Sequence, residues 1–245
     1  MNRPVAPHPF SMTWRAGLFA HWPFDPEVVR PLVPEPLELD TYDGQAWISV
    51  LPFVLADVGV RGSPAFAGLR FPELNVRTYV RLDGASGLYF FAVDVDQSVV
   101  ARLVRATTRL PCHDLDAAVR VRGDEVEFEA VRRGDRGSRA TPAHFAATYR
   151  PDGEVFRAAP GTLDHWLAER RRMYDPTGRG VFYAEIAHDR WPLQRAEATI
   201  NRNTTFEATD LPQPETDPSF RYADRLSMTG SVPRIVRAGR RRHPA

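Results

Sequence analysis

The chain has 245 residues, is 43% hydrophobic and 11% aromatic, and carries a formal net charge of +1. That is apolar content enough for a sizeable core, β-rich chains of this length are common as one domain, and the near-zero charge provides no global field for nucleic acid. All 32 basic residues are arginine, which excludes side-chain Schiff-base chemistry, lysine-linked pyridoxal phosphate and a Walker A loop, since each requires a lysine.

Residues 1–11 hold three prolines and read as an irregular arm before one domain over 12–236. "MTWRAGLFAHW" is predicted as a strand. Its alternation puts Trp14, Ala16, Leu18, Ala20 and Trp22 on one face and Arg15, Gly17, Phe19 and His21 on the other. Asp25 and Pro26 are the N-cap and first position of a short helix that Pro31 limits to a turn or two. "QAWISVLPFVLADVGV" is a β-rich run broken by Pro52, the signature of an edge or a bulge. "FPELNVRTYV", the turn "LDGASG" and "LYFFAVDVD" read as a hairpin. "DQSVVARLVRATTRL" is predicted as a helix capped by Asp96, with Val99, Val100, Leu103 and Val104 as a core stripe. A second hairpin turns at Gly123-Asp124, and "AHFAATYRPDG" adds a strand and turn. Thr162 caps another helix, with Leu163, Trp166, Leu167 and Arg170 at helical spacing; the "RRRMY" that follows reads as a solvated last turn. Three further strands precede a tail, 237–245, that holds Arg237, Arg240, Arg241 and Arg242 and no acid. Without those four, 28 Arg face 31 acids, a net of −3, so the tail reads as a frayed, solvated end.

This pattern predicts a mainly β protein with a few helices (α+β), an antiparallel barrel or sandwich with helices packed outside. The single cysteine, Cys112, allows no intrachain disulfide and no Cys-based zinc cluster. No HExxH, GxSxG or GxGxxG is present, no metal site or cofactor is expected, and His21, His144 and His188 are dispersed. The N-terminus has no apolar leader and no run approaches the ~18 apolar residues of a membrane span. The expectation is a cytoplasmic protein without a membrane or nucleic-acid partner; a homo-oligomer is left open.

The polar residues of "FPELNVRTYV" pose the functional question. Strand parity puts Glu73, Asn75, Arg77 and Tyr79 on one face and Leu74, Val76, Thr78 and Val80 on the other. The polar row is either a wet sheet face carrying a Glu–Arg surface pair or the polar lining of a cavity, with Leu74, Val76 and Val80 packed under helices.

"LDTYDGQAWISVLPF", "FPELNVRTYV" and "GLYFFAVD" resemble the YqjF-like proteins, conserved bacterial proteins placed in the acetoacetate decarboxylase-like superfamily. The resemblance spans roughly Met12 to Pro233, and "ELNVRTYV" is its most specific piece. It implies the superfamily's antiparallel β-barrel around a polar cavity, with the Glu73 row as lining. The decarboxylases' Schiff-base lysine lies in a segment resembling Gly-Arg…Phe-Pro-Lys, for which the nearest match is Ala101-Arg102…Leu110-Pro111-Cys112. Cys112 then stands where the amine would be, which puts decarboxylation itself in doubt. The family's catalytic carboxylate best matches Glu73.

The expected ligand is a small molecule in the barrel cavity, an organic acid or carbonyl compound. Glu73 would act as acid or base, Arg77 would pair with a carboxylate or enolate oxygen, and Asn75 and Tyr79 would orient the ligand. His21, Arg102 and Cys112 are secondary candidates; Cys112 reads first as a small buried hydrophobe. The alternative is a non-catalytic binding or sensor protein that retains the barrel.

Overall fold

The computed structural model describes residues 7–62, 68–102, 110–132, 141–177 and 180–237. Runs of β-branched and aromatic residues punctuated by tight turns make long strands: β1 (Phe10–Phe24), β2 (Glu38–Leu39), β3 (Ala46–Val60), β4 (Leu69–Leu82), β5 (Ala85–Val95), β6 (Cys112–Asp114), β7 (Asp116–Arg122), β8 (Glu125–Arg132), β9 (Ala143–Phe156), β10 (Arg172–Thr177), β11 (Gly180–His188), β12 (Leu193–Asn203), β13 (Ser219–Gly230) and β14 (Arg234–Val236). Asp83 and Gly84 join β4 to β5 with φ of 50° and 79°, the left-handed pair that a two-residue hairpin needs to match strand twist. The short helix Pro26–Val29 starts as expected, with Asp25 accepting from the Glu27 amide at 2.8 Å. Thr162 likewise caps the helix Leu163–Ala168.

Among the described residues all strands belong to one 14-stranded sheet. β1 pairs antiparallel with β3 and β13, β3 with β4, and β4 with β5. β5 meets β10 in a parallel contact, β10 pairs with β11, and β11 returns to β13. These pairings form a circuit of seven strands that closes on itself. From β13 the sheet continues outward through β12, β9, β8 and β7. This extension folds back over the circuit. Leu74, Val76 and Val80 of β4 share one core with Leu18, Ala20 and Trp22 of β1 and with Phe128, Phe145 and Tyr149 of β8 and β9. Each of these fully buried large side chains contributes about 1.5–3 kcal/mol.

Several expectations need correction. The cover over Leu74, Val76 and Val80 is mostly strands, not helices. Of the two readings of Pro52, the edge fails and the bulge holds: it lies in an inner strand where the β1–β3 register breaks between Arg15 and Ala20, so its missing N–H costs no ladder bond there. In β1 the alternation slips at Ala16, whose φ is 48°. Trp14 therefore joins Phe19 in one cluster while Leu18, Ala20 and Trp22 face another, and Arg15 does not share the His21 face. The Trp14 indole lies across Gly17, where a Cβ would come within 2.1 Å of the ring. The helical turn at 98–102 leaves Val99 73% exposed, not in the core; Leu103 and Val104 lie outside the described residues. β1 begins at Phe10, two residues before the expected boundary. Of the basic tail only Arg237 is described. No helix among the described residues is long and apolar enough to cross a membrane.

Candidate functional site

Register converts the β4 row into a site. His21 of β1 faces Ser49 of β3, Ser49 faces Arg77 of β4, and Arg77 faces Phe90 of β5. Two residues along, Leu51, Asn75 and Val93 form the next rung, and Phe53, Glu73 and Val95 the one after. Glu73, Asn75 and Arg77 are each more than nine-tenths buried, and Tyr79 is fully buried. The row is not a wet sheet face.

Its polar end is a chain of short hydrogen bonds. His21 Nδ1 lies 2.7 Å from Ser49 Oγ, which lies 2.6 Å from Tyr79 Oη. Arg77 shares this face, and the Tyr79 oxygen favours its charged form. The Ser49 and Tyr79 hydroxyls can each donate or accept, so the direction of the chain follows the tautomer of His21. Burial first, then the positive fields of Arg77 and Arg221, hold the His21 pKa well below its ordinary value, so the imidazole is neutral.

Arg77 has no carboxylate partner among the described residues. Glu73 lies two same-face steps along β4, about 13 Å between Cα atoms at ~3.3 Å per residue, which explains why the two do not pair. Burial lowers the Arg77 pKa; the neighbouring Arg170 guanidinium lowers it further and Tyr79 opposes both. Glu73 sits between Phe53 and Val95, and burial raises its pKa to about 7 against the hydrogen bond donated by Asn75, with Asp94 adding to the rise.

Arg170 is the residue that sequence reasoning missed. The helix ends at Ala168, and Arg170 turns inward in place of a solvated last turn. It donates to Asp40 Oδ2 at 2.7 Å and to the Trp166 carbonyl at 2.7 Å. Its guanidinium carbon stands 4.2 Å from the Trp166 ring centre and 5.3 Å from that of Tyr79. The one available signal was its place on the helical stripe of Leu163, Trp166 and Leu167. Ser49 was missed as well; strand parity with Leu51 and Phe53 was its only mark.

Six buried side-chain polar atoms lack a hydrogen-bond partner among the described residues, and four belong to this face: Trp47 Nε1, Asn75 Oδ1, Arg77 Nε and Arg170 Nη2. Buried polar atoms are almost always satisfied, so their concentration in one place marks a site. Of the secondary candidates, His21 joins this cluster. Cys112 is fully buried in an apolar cluster with Tyr79, Phe90, Val93 and Leu167. Arg102 is exposed on the turn at 98–102 and does not join the buried row. A depression of about 220 Å³ on the solvent side of β7–β9 is lined by Ala118, Arg120, Glu127 and Thr148 among others; Arg120 and Glu127 there pair at 3.6 Å, and it owns none of the unpartnered atoms. Among the described residues no group of three or more His, Cys, Asp or Glu is placed to hold a metal ion.

Known proteins bear on this geometry. The chain is 43% identical over 212 residues to the uncharacterized protein YqjF of Bacillus subtilis, covering 86% of each chain. Its fold is similar to that of the enduracididine biosynthesis enzyme MppR with HEPES buffer bound, at a TM-score of 0.63 and 12% identity, over 95% of this chain and 89% of that one. It is similar to the acetoacetate decarboxylase of Legionella pneumophila at a TM-score of 0.59 and 12% identity, over 97% and 93% of the two chains. A mainly β, acetoacetate decarboxylase-like fold therefore accompanies a close sequence relationship to YqjF. The model of the DUF2071 family, described as an uncharacterized conserved protein, matches residues 11–227, and the chain belongs to that family.

Proposed function

We propose that the seven-strand circuit is a barrel enclosing a binding site for a small organic acid or carbonyl compound, and that the site works without Schiff-base chemistry. The observation that carries this reading is Arg77, a buried guanidinium with no acid partner among the described residues. Burying such a charge costs several kcal/mol, and an anionic ligand offsets that cost. The chain has no lysine, so no internal amine is available to attack a carbonyl. Arg77 holds the carboxylate or enolate oxygen, Asn75 and Tyr79 orient the ligand, and Glu73, titrating near 7, exchanges a proton at the carbon beside the carbonyl. MppR has been solved with pyruvate, a ligand of the same class.

The second reading is a binding or sensor protein without turnover. The buried Cys112, standing where the decarboxylases' amine would be, favours it.

Calorimetric titration of wild type and Arg77→Leu with short carboxylates tests the reading. Wild type is expected to bind and the variant to lose binding by a factor of 100 or more, in line with ~3 kcal/mol for a charged hydrogen-bonded contact. Equal binding by both removes Arg77 from the site. Deuterium wash-in at the α-carbon of bound keto acids, followed by proton NMR, separates enzyme from sensor.

A further inference from the structure

We infer that the natural ligand is a short carboxylate bearing a hydroxyl or enol O–H, in preference to a plain keto acid. The inference rests on the binding reading above and concerns which groups the ligand must carry.

The argument is one of polarity. Trp47 Nε1, Arg77 Nε and Arg170 Nη2 are three buried donors without an acceptor, and Asn75 Oδ1 is a buried acceptor without a donor. Trp47 shares the Ser49 face of β3, and Arg170 stands over the Tyr79 ring beside Arg77. The donors therefore gather at the Tyr79 end of the row. A carboxylate has two oxygens and about four lone-pair sites and no proton to give, so it satisfies that end. Asn75 lies one same-face step toward Glu73, ~6–7 Å along the strand between Cα atoms. Its Oδ1 is buried and receives no hydrogen bond from any described residue, so it is available to accept from a ligand. A ketone there sets acceptor against acceptor. A hydroxyl or enol donates to Asn75 and completes the set. The carboxylate and the O–H are one to three carbons apart, the span that two converging side chains on adjacent same-face positions can reach.

The charge agrees. Among the buried groups at that end, Arg77 and Arg170 are cationic, Asp40 is anionic and bridges Arg170 and the half-exposed Arg81, and His21 is neutral. Arg77 alone has no counter-charge, which a monocarboxylate supplies.

The test is an isosteric series of butyrate, 3-hydroxybutyrate and acetoacetate, titrated calorimetrically into the full chain at about pH 8.5. That pH lies above the Glu73 value of about 7, so Glu73 is ionised and has no proton to give Asn75 Oδ1. The hydroxy acid is expected to bind about tenfold or more tighter than butyrate, the effect of satisfying a buried acceptor, and acetoacetate no tighter than butyrate. In Asn75→Leu the hydroxyl advantage should fall to about one, with a thermal melt confirming that the variant folds. Equal affinity for all three in wild type, or tightest binding of acetoacetate, overturns the inference and leaves the carboxylate site standing. No binding of any of the three at millimolar concentration overturns both.

Discussion

Arg132 and Arg77 are both buried guanidinium groups, set on opposite sides of the β4–β5 pair, and they differ in every contact. Arg132 meets Asp94 at 3.0 Å, donates to the Thr141 carbonyl at 2.9 Å and reaches the Ala208 carbonyl at 3.4 Å. It ties the outer extension to the circuit. Arg77 has no acid partner among the described residues and keeps Nε without an acceptor. A charge that exists to hold the fold is surrounded by acceptors from the fold. A charge without them fits the anion-binding role proposed for Arg77.

The largest expected effect lies on the structural side. Arg132→Leu leaves Asp94 buried without its partner and should cost ~3–5 kcal/mol, read by urea denaturation. If instead the loss is below about 1 kcal/mol, the tie between the two halves of the sheet lies elsewhere.

Glu73 comes next and sharpens the contrast, because it is the acid that Arg77 does not pair with. Its folded value of about 7 lies above the ordinary 4.5, so the native state holds its proton more tightly than the unfolded chain does. The associated stability is fully present below about pH 4.5 and is lost as pH rises through 7; it amounts to ~3 kcal/mol at most. Asp94, raised to about 6 from 3.8 by burial against the pull of Arg132, adds a slope of the same sign over a lower window. Glu73→Gln should therefore flatten the fall in stability between pH 4.5 and 7. A profile indistinguishable from wild type would falsify the buried, unpaired placement of Glu73.

Ser49→Ala breaks the short hydrogen-bond chain and leaves His21 Nδ1 and Tyr79 Oη facing each other across a missing hydroxyl. The expected cost is ~1–3 kcal/mol, accompanied by a change in the His21 ring ¹⁵N shifts as Nδ1 loses its hydrogen-bond partner. Unchanged shifts mean that Ser49 and His21 are not hydrogen-bonded.

Arg77→Leu should have the smallest effect on stability, within about 1 kcal/mol of wild type or above it, because removing an uncompensated buried charge relieves desolvation. A loss as large as that of Arg132→Leu erases the distinction between the two arginines.

Local periodicity made part of the site legible in the sequence. A strand alternates every two residues whatever it packs against, so "ELNVRTYV" by itself placed Glu73, Asn75, Arg77 and Tyr79 on one face. The same rule failed in β1, where the left-handed φ at Ala16 moved Trp14 to the other side. Composition alone removed the lysine chemistries. Helix caps at Asp25 and Thr162 were equally readable, because a cap is decided by residues within one turn.

Which face is enclosed was decided only by the tertiary structure. Parity is symmetric between the two sides of a strand, and the answer depended on β8 and β9 covering Leu74, Val76 and Val80. The partners of the row are equally non-local. Ser49 lies 30 residues before Tyr79 and His21 a further 28; they meet through strand register. Arg170 sits 130 residues from Asp40, and its inward turn depends on an acid, an indole and a phenol that converge only when the sheet closes on itself. A basic run after a helix has the same local chemistry whether it meets water or a buried carboxylate, and desolvation, which distinguishes the two, is a property of the folded surroundings alone.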